Sequence, residues 1–182
     1  MKEIKREITL PEGFEFSLDE NIVTIKGNGK EIKKELPLKN KKIEIKKEGN
    51  KILIQCTKKP TRRETAISGS IEGHIKNMIR GLERPFVYKL ECCNAHFPMV
   101  PKVEGNKLLI KNFLGEKVDR VVDIIPNVEV KVKGNIIEVS SIDKEAAGQM
   151  AANIEIKTKI KNRDRRVFQD GIFIIEKDGE EI

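Results

Sequence analysis

Along much of this chain apolar and polar residues alternate, and where the alternation stops a helical stripe takes over. Ile43-Glu44-Ile45-Lys46 and residues 51–55 put apolar side chains on one face, the pattern of half-buried strands. Gly49-Asn50 separates them, and these two residue types tolerate the positive φ of a tight hairpin. Further on, Thr61-Arg62-Arg63-Glu64 has the spacing of a capping box, in which hydroxyl and carboxylate satisfy orphan backbone donors reciprocally. Ile67, Ile71, Ile75, Met78, Ile79 and Leu82 then form a continuous apolar stripe. Gly81 is expected to end that helix ahead of Pro85.

The same layout returns 85 residues later. Val23-Thr24-Ile25-Lys26 has its counterpart in Leu108-Leu109-Ile110-Lys111, and Ile43-Glu44-Ile45-Lys46 in Val128-Glu129-Val130-Lys131. Gly49-Asn50 falls on Gly134-Asn135, and Ile71, Ile75 and Asn77 fall on Ile156, Ile160 and Asn162. One offset across strand, turn and helix predicts a tandem duplication, with modules at residues 1–83 and 84–182. Each module reads as several antiparallel strands followed by one helix, which predicts an α+β fold with a small, barrel-like sheet packed on a helix. In the second copy Asp143 is the expected N-cap, and Ala152, Ile156 and Ile160 the expected apolar stripe. The join is expected near residues 82–85.

Composition narrows the classes of function. The 182 residues suffice for one ordinary domain or two small ones, and 38% hydrophobic content builds modest cores. Lys and Arg outnumber Asp and Glu by 36 to 29, a surplus of +7 that favours a polyanionic partner. High Lys, Glu and Ile with no Trp fits a surface laced with ion pairs. No apolar run approaches the roughly 18–20 residues that span a bilayer. The charged start, Met1-Lys2-Glu3-Ile4-Lys5-Arg6-Glu7, has no apolar core behind it, so no secretory signal is expected. Cys56, Cys92 and Cys93 are an odd count without zinc or disulfide spacing, so reduced thiols in the cytosol are the expected state.

Candidate chemistry is sparse. Catalysis needs a nucleophile with its base, paired carboxylates or a metal cluster, and the two histidines, His74 and His96, stand apart from any such set in sequence. His74 lies off the apolar stripe, which suits a solvated or partner-facing side chain. Gly27-Asn28-Gly29-Lys30 shares glycines and a lysine with phosphate loops but lacks the full pattern, and its strand-like flanks make it a hairpin turn. No catalytic residue, metal site or cofactor is expected.

Basic clusters remain. Lys30, Lys33, Lys34, Lys39, Lys41 and Lys42 are interleaved with Glu31, Glu35 and Glu44, the mixture of a solvated face. A denser run follows in the second copy: Lys157, Lys159, Lys161, Arg163, Arg165 and Arg166, relieved only by Asp164. Lys157 and Lys161 are expected to share a helix face. The arginines suit bidentate phosphate contacts, and Phe168 beside them can stack on a base or anchor the next strand. Through Pro85 the chain carries 20 Lys+Arg against 13 Asp+Glu, and afterwards 16 against 16. The run at 157–166 should nevertheless dominate polyanion binding, because only cations that meet phosphates release counterions. Some of the cancelling acids lie in the C-terminal segment 176–182, expected to be a mobile tail.

At these residues the chain resembles a known family. Asn77-Met78-Ile79-Arg80-Gly81, Tyr88-Lys89-Leu90, Ala95-His96-Phe97-Pro98-Met99 and Asn112-Phe113-Leu114-Gly115-Glu116-Lys117 are similar to the large ribosomal subunit protein six family. So is the stretch from Asp143-Lys144-Glu145-Ala146-Ala147-Gly148 through Gln149-Met150-Ala151-Ala152-Asn153-Ile154-Glu155. Asp164-Arg165-Arg166-Val167-Phe168-Gln169-Asp170-Gly171-Ile172-Phe173-Ile174 resembles the archaeal and eukaryotic branch in particular. The resemblance implies a duplicated module of antiparallel sheet plus helix, located in the cytoplasm on the ribosome. It implies binding to large-subunit rRNA near the stalk base and the factor-binding region, alongside neighbouring large-subunit proteins, with no cofactor, membrane or small-molecule substrate. The second module would make most of the RNA contact. Carried over, this points to Lys117 and Arg120, to Lys144 and Gln149 at the helix start, and to Lys157, Lys159, Lys161, Arg163, Arg165, Arg166 and Phe168. Gly148 and the alanine pairs would let that helix approach RNA or sheet closely.

Overall fold

The short strand and hairpin periods are realised as antiparallel ladders throughout, in a computed structural model that describes residues 4–36, 43–56, 60–164 and 166–182. The chain divides into two compact units, Met1–Arg84 and Pro85–Ile182. In unit 1, β1 (Lys5–Thr9), β6 (Lys51–Cys56) and β5 (Ile43–Glu48) form one sheet in that order. A second sheet orders β2 (Glu15–Asp19), β3 (Ile22–Gly27) and β4 (Lys30–Glu35), and helix α1 (Arg62–Glu83) packs against strands of both sheets. Unit 2 repeats this with β7 (Phe86–Cys93), β12 (Ile136–Ser141) and β11 (Val128–Lys133), then β8 (Val100–Glu104), β9 (Lys107–Lys111) and β10 (Arg120–Asp123), and helix α2 (Lys144–Thr158). It adds β13 (Gly171–Lys177) beside β7, and β14 (Glu180–Glu181) beside β13.

The hairpins form where the turn residues place them. Gly49 and Gly134 open the β5–β6 and β11–β12 turns at φ 59° and 60°, and Asn28 and Gly29 both take positive φ in the β3–β4 turn. Two consecutive left-handed residues match the right-handed twist of the strands they join. Gly27-Asn28-Gly29-Lys30 is thus a hairpin. On its flank Lys33 and Lys26 pair with Glu31, as a solvated face of mixed charge does; Lys39, Lys41 and Lys42 lie outside the described residues.

The 85-residue offset is correct for β2, β3, β5 and β6, and Val23 and Ile25 are fully buried like Leu108 and Ile110. It fails for the helices. α1 buries Ser68, Ile71, Ile75 and Ile79, whereas α2 buries Ala147, Met150, Ile154 and Thr158, an offset of 79. The expected stripe of Ala152, Ile156 and Ile160 is therefore wrong: Ile156 is 63% exposed, and Ile160 lies beyond the helix. At the same offset Gly69 matches Gly148. A Cβ on Gly69 would meet Arg6 of β1, and one on Gly148 would meet the Tyr88 hydroxyl of β7 at 3.3 Å. Each glycine lets a long side chain from the unit's first strand lie across the helix, so Gly148 serves the approach of the sheet.

The helix lengths explain the mismatch. α1 has 22 residues and α2 has 15, so α1 extends about one turn further at each end. Its start carries the expected capping box, with the Thr61 amide donating to Glu64 Oε2 at 2.6 Å. Gly81 does not end α1; it is buried inside the last turn, and Arg84 is the C-cap. The segment 176–182 is likewise no free tail. Glu176 and Lys177 pair with Glu181 and Glu180, and Ile182 donates its amide to the Ile175 carbonyl at 3.0 Å.

Cys92 occupies in unit 2 the place that Leu10 holds in unit 1: their amides donate to the equivalent carbonyls of Asn135 and Asn50, each at 2.8 Å. It is a core side chain, and burial pushes its thiol up to about 11, which keeps it protonated and unreactive at neutral pH.

Candidate nucleic-acid interface

Because α2 stops at Thr158, the residues that follow leave its axis and turn across its end. Lys159 is the extended C-cap, and Asn162 takes a left-handed φ of 59°. Lys161 is therefore off the helix and does not share a helix face with Lys157. Together the end of α2 and β10 wall a groove of about 610 Å³, lined by Arg120, Asp123, Asn153, Lys157, Lys159 and Lys161 around an apolar floor. The three lysines are exposed and have no carboxylate partner among the described residues. They stand at the carbonyl end of α2, where the helix dipole favours cations.

Arg120 shapes this groove. Its guanidinium donates to both carboxylate oxygens of Glu116 at 2.8 and 2.5 Å and to the Lys157 carbonyl at 2.7 Å, and it lies 3.9 Å over the Phe113 ring. The hydrogen bonds from Arg120 hold the Glu116 carboxyl below its ordinary range. Arg120 thereby caps an orphan carbonyl at the end of α2 and pins β10 to it. Its charge is largely spent on that task.

The other expected contacts separate into groups. Lys117 is exposed on the loop after the 3-10 turn Phe113–Gly115, whose backbone is left-handed at Asn112, Leu114 and Gly115. The loop is held by buried Phe113 and by the Asn112 amide, which donates to the Pro98 carbonyl at 2.9 Å. Gln149 donates to Asn153 at 2.8 Å, and Gln149, Asn153 and Lys157 form a polar stripe at four-residue spacing that leads to the groove. Lys144 is remote from it, about 20 Å along the helix from Lys157 at 1.5 Å per residue, with its ammonium 5.8 Å from the Phe86 ring.

Beyond the groove, the Arg163 guanidinium sits 4.7 Å over the Phe168 ring, and His96 stacks on the same ring at 4.8 Å. Phe168 is an internal stacking partner, half-buried between its neighbours. Arg166 folds back on Asp164 with contacts of 3.2 and 2.9 Å, although its side chain remains 90% exposed. Those hydrogen bonds lower the Asp164 carboxyl. Arg165 lies outside the described residues.

Sequence reasoning missed the clamp behind this stack. Asp170, 3% exposed, accepts from the Ala95 and His96 amides at 2.8 and 2.9 Å through one oxygen, and its other oxygen meets His96 Nδ1 at 2.5 Å. Burial alone would raise this carboxyl; the hydrogen bonds from His96 and Ala95 outweigh it and leave the group below its ordinary range. His96 and Asp170 are 74 positions apart, so no local spacing could announce them. Nearby, Thr158 accepts the buried Ile172 amide at 3.0 Å, which ties the end of α2 to β13.

Comparison with known proteins converges on one group. A family model described as Ribosomal protein L6 matches twice, at residues 10–83 and 97–171. The large ribosomal subunit protein uL6 of Methanococcus vannielii is 44% identical over 176 residues, covering 97% of this chain and 95% of that protein. The protein of the same description from Methanosarcina mazei is 44% identical over 177 residues, covering 97% and 99%.

Proposed function

The chain belongs to the Ribosomal protein L6 family, and from that premise we propose that it binds large-subunit rRNA chiefly through unit 2. Its role is that of a structural constituent of the large ribosomal subunit in the cytoplasm, and its family is not one of enzymes. The rRNA site we assign lies near the stalk base and the factor-binding region, beside neighbouring large-subunit proteins.

One observation carries this reading: the groove between β10 and the end of α2, with Lys157, Lys159 and Lys161 exposed on its rim. Lysines without carboxylate partners keep their full charge for phosphates, and each phosphate neutralised releases condensed counterions. Arg120 braces the groove wall, and Lys117 adds an exposed cation on the loop that leads into β10. In unit 1, by contrast, Lys33 and Lys46 already face Glu31 and Glu44 at 3.0 Å.

The test is a salt series of binding to a stalk-base rRNA fragment. Replacing Lys157, Lys159 and Lys161 by Gln should flatten the slope of log affinity against log salt by about 0.7–0.9 for each phosphate left unneutralised. Replacing Lys30, Lys33 and Lys46 should change it little. Equal flattening, or more from the second set, places the RNA face on the wrong unit.

A further inference from the structure

The first strand of each unit has the same place in its sheet, yet only one of the two is covered on both sides. In unit 2, β7 lies between β12 and β13. β13 serves the backbone groups that β7 points away from β12: Phe173 pairs with Glu91, Glu176 with Lys89, and the Asp178 amide donates to the Val87 carbonyl at 2.7 Å. β1 stands in the same relation to β6, as the matched bonds of Leu10 and Cys92 show. Lys5, Glu7 and Thr9 are therefore the counterparts of Val87, Lys89 and Glu91. Their amides and carbonyls point to the outer edge of β1, and no strand pairs with that edge among the described residues.

We propose that this edge receives an extended segment of a neighbouring protein of the large subunit, added as a fourth strand where β13 is added in unit 2. The place for it exists. Beyond the Arg6 contact, a cleft of about 420 Å³ opens between β1 and the C-terminal half of α1, bordered by Glu7, Ile8 and Thr9 on one side and Lys76, Ile79 and Arg80 on the other. In unit 2 the matching position against α2 is filled by β13. The β1 register runs through five consecutive pairs without a bulge, so its edge is straight enough to template a partner.

The lining also states the occupant's chemistry. Alternating amides and carbonyls are met by another polypeptide backbone, whereas a nucleic acid offers no such row. The cleft is of mixed charge, with Glu7 and Glu83 among its cations. In unit 2, Lys89 is met by Glu176 at 2.7 Å; here the matching residue, Glu7, already faces Lys5 and Lys51 at 3.4 and 3.5 Å, so the incoming strand needs no cation at that point and is held by its backbone. Toward the helix, Ile79 replaces Thr158, so an apolar side chain is wanted there. The inference rests on the chain's residence in the large subunit, and the experiment separates the two.

Hydrogen exchange, resolved by fragmentation mass spectrometry, is compared between the free chain and the chain assembled in large subunits. A second sample carries a photo-crosslinking residue in place of Glu7. A docked strand slows the amides of Lys5, Glu7 and Thr9 at least about tenfold, and leaves Arg6 and Ile8, already bonded to β6, unchanged. The crosslink falls on a ribosomal protein. Unchanged exchange at those three amides, or a crosslink to rRNA, overturns the docking edge. A tagged chain that does not sediment with large subunits overturns the residence itself, and the proposal with it.

Discussion

Replacing Asp170 by alanine should loosen unit 2 by about 2–4 kcal/mol, and the size of that loss follows from the clamp it forms. Its carboxylate takes two backbone amides and one imidazole nitrogen, all within 2.9 Å. Hydrogen bonds to a charged partner contribute about 1.5–3 kcal/mol each. The full sum is not expected, because Ala95 and His96 are exposed and water can replace part of what is removed. Asp170→Asn keeps a carbonyl oxygen for the two amides and gives up the charge, so it should cost about 1–2 kcal/mol. The pH dependence has a definite sign. A carboxyl held below its ordinary range stabilises the fold above its unfolded value, about 3.9, and the benefit is lost as pH falls through the folded value. The gap between the native chain and Asp170→Asn should therefore begin to narrow as pH falls below about 4 and go on narrowing down through the folded value. The single tyrosine, Tyr88, lies in β7, so its fluorescence during urea unfolding reports on unit 2. An alanine variant that loses under about 1 kcal/mol, or an Asn gap that does not narrow at all as pH falls below about 4, would refute the clamp.

Two further outcomes test the helix register and its packing. Ile154→Ala should cost about 2–5 kcal/mol in urea unfolding and Ile156→Ala under about 0.5; the reverse order would restore the 85-residue offset for the helix. Gly148→Val should destabilise by about 1–3 kcal/mol, because its side chain meets the buried Tyr88 hydroxyl. Gly69→Ala, which meets only the flexible end of Arg6 at 3.5 Å, should instead gain about 0.5–1 kcal/mol in helix propensity. Thermal melts of the two variants moving in the same direction would sink this contrast.

What the sequence revealed was what depends on neighbours in the chain. Alternation at 43–46 and 51–55, paired with a Gly-Asn turn, determines a hairpin locally, and the β5–β6 and β11–β12 hairpins follow. The helix register was misplaced because the strand offset was carried across a connection that shortens by three residues, from five between β6 and α1 to two between β12 and α2, and past the extra first turn of α1, which removes three more. Ile156 looks apolar enough to be core, but the register that buries Ile154 turns it outward, and Ile160 packs at the edge of the core only after the helix has ended at Thr158. Of the candidate site, the lysine run was visible as composition, but its shape was not. Arg120 reads as one more cation until its bonds to Glu116 and to the Lys157 carbonyl are seen. Asp170 and His96 meet through tertiary structure alone.

The unequal helices have a consequence for how two copies of one module come to present different surfaces. Positions 80–83 continue as helix in the first copy, while their counterparts at 159–162 unwind into the rim of the lysine groove. Both copies share the pairings of their first six strands and the same glycine under the helix, so the framework tolerates either length. Where the helix stops thus decides whether these positions form a packed flank or the rim of the groove that we propose as the rRNA contact. The sister copy preserves the untrimmed version in the same chain, and a chimera that continues α2 by one turn would ask whether that boundary alone divides scaffold from reader.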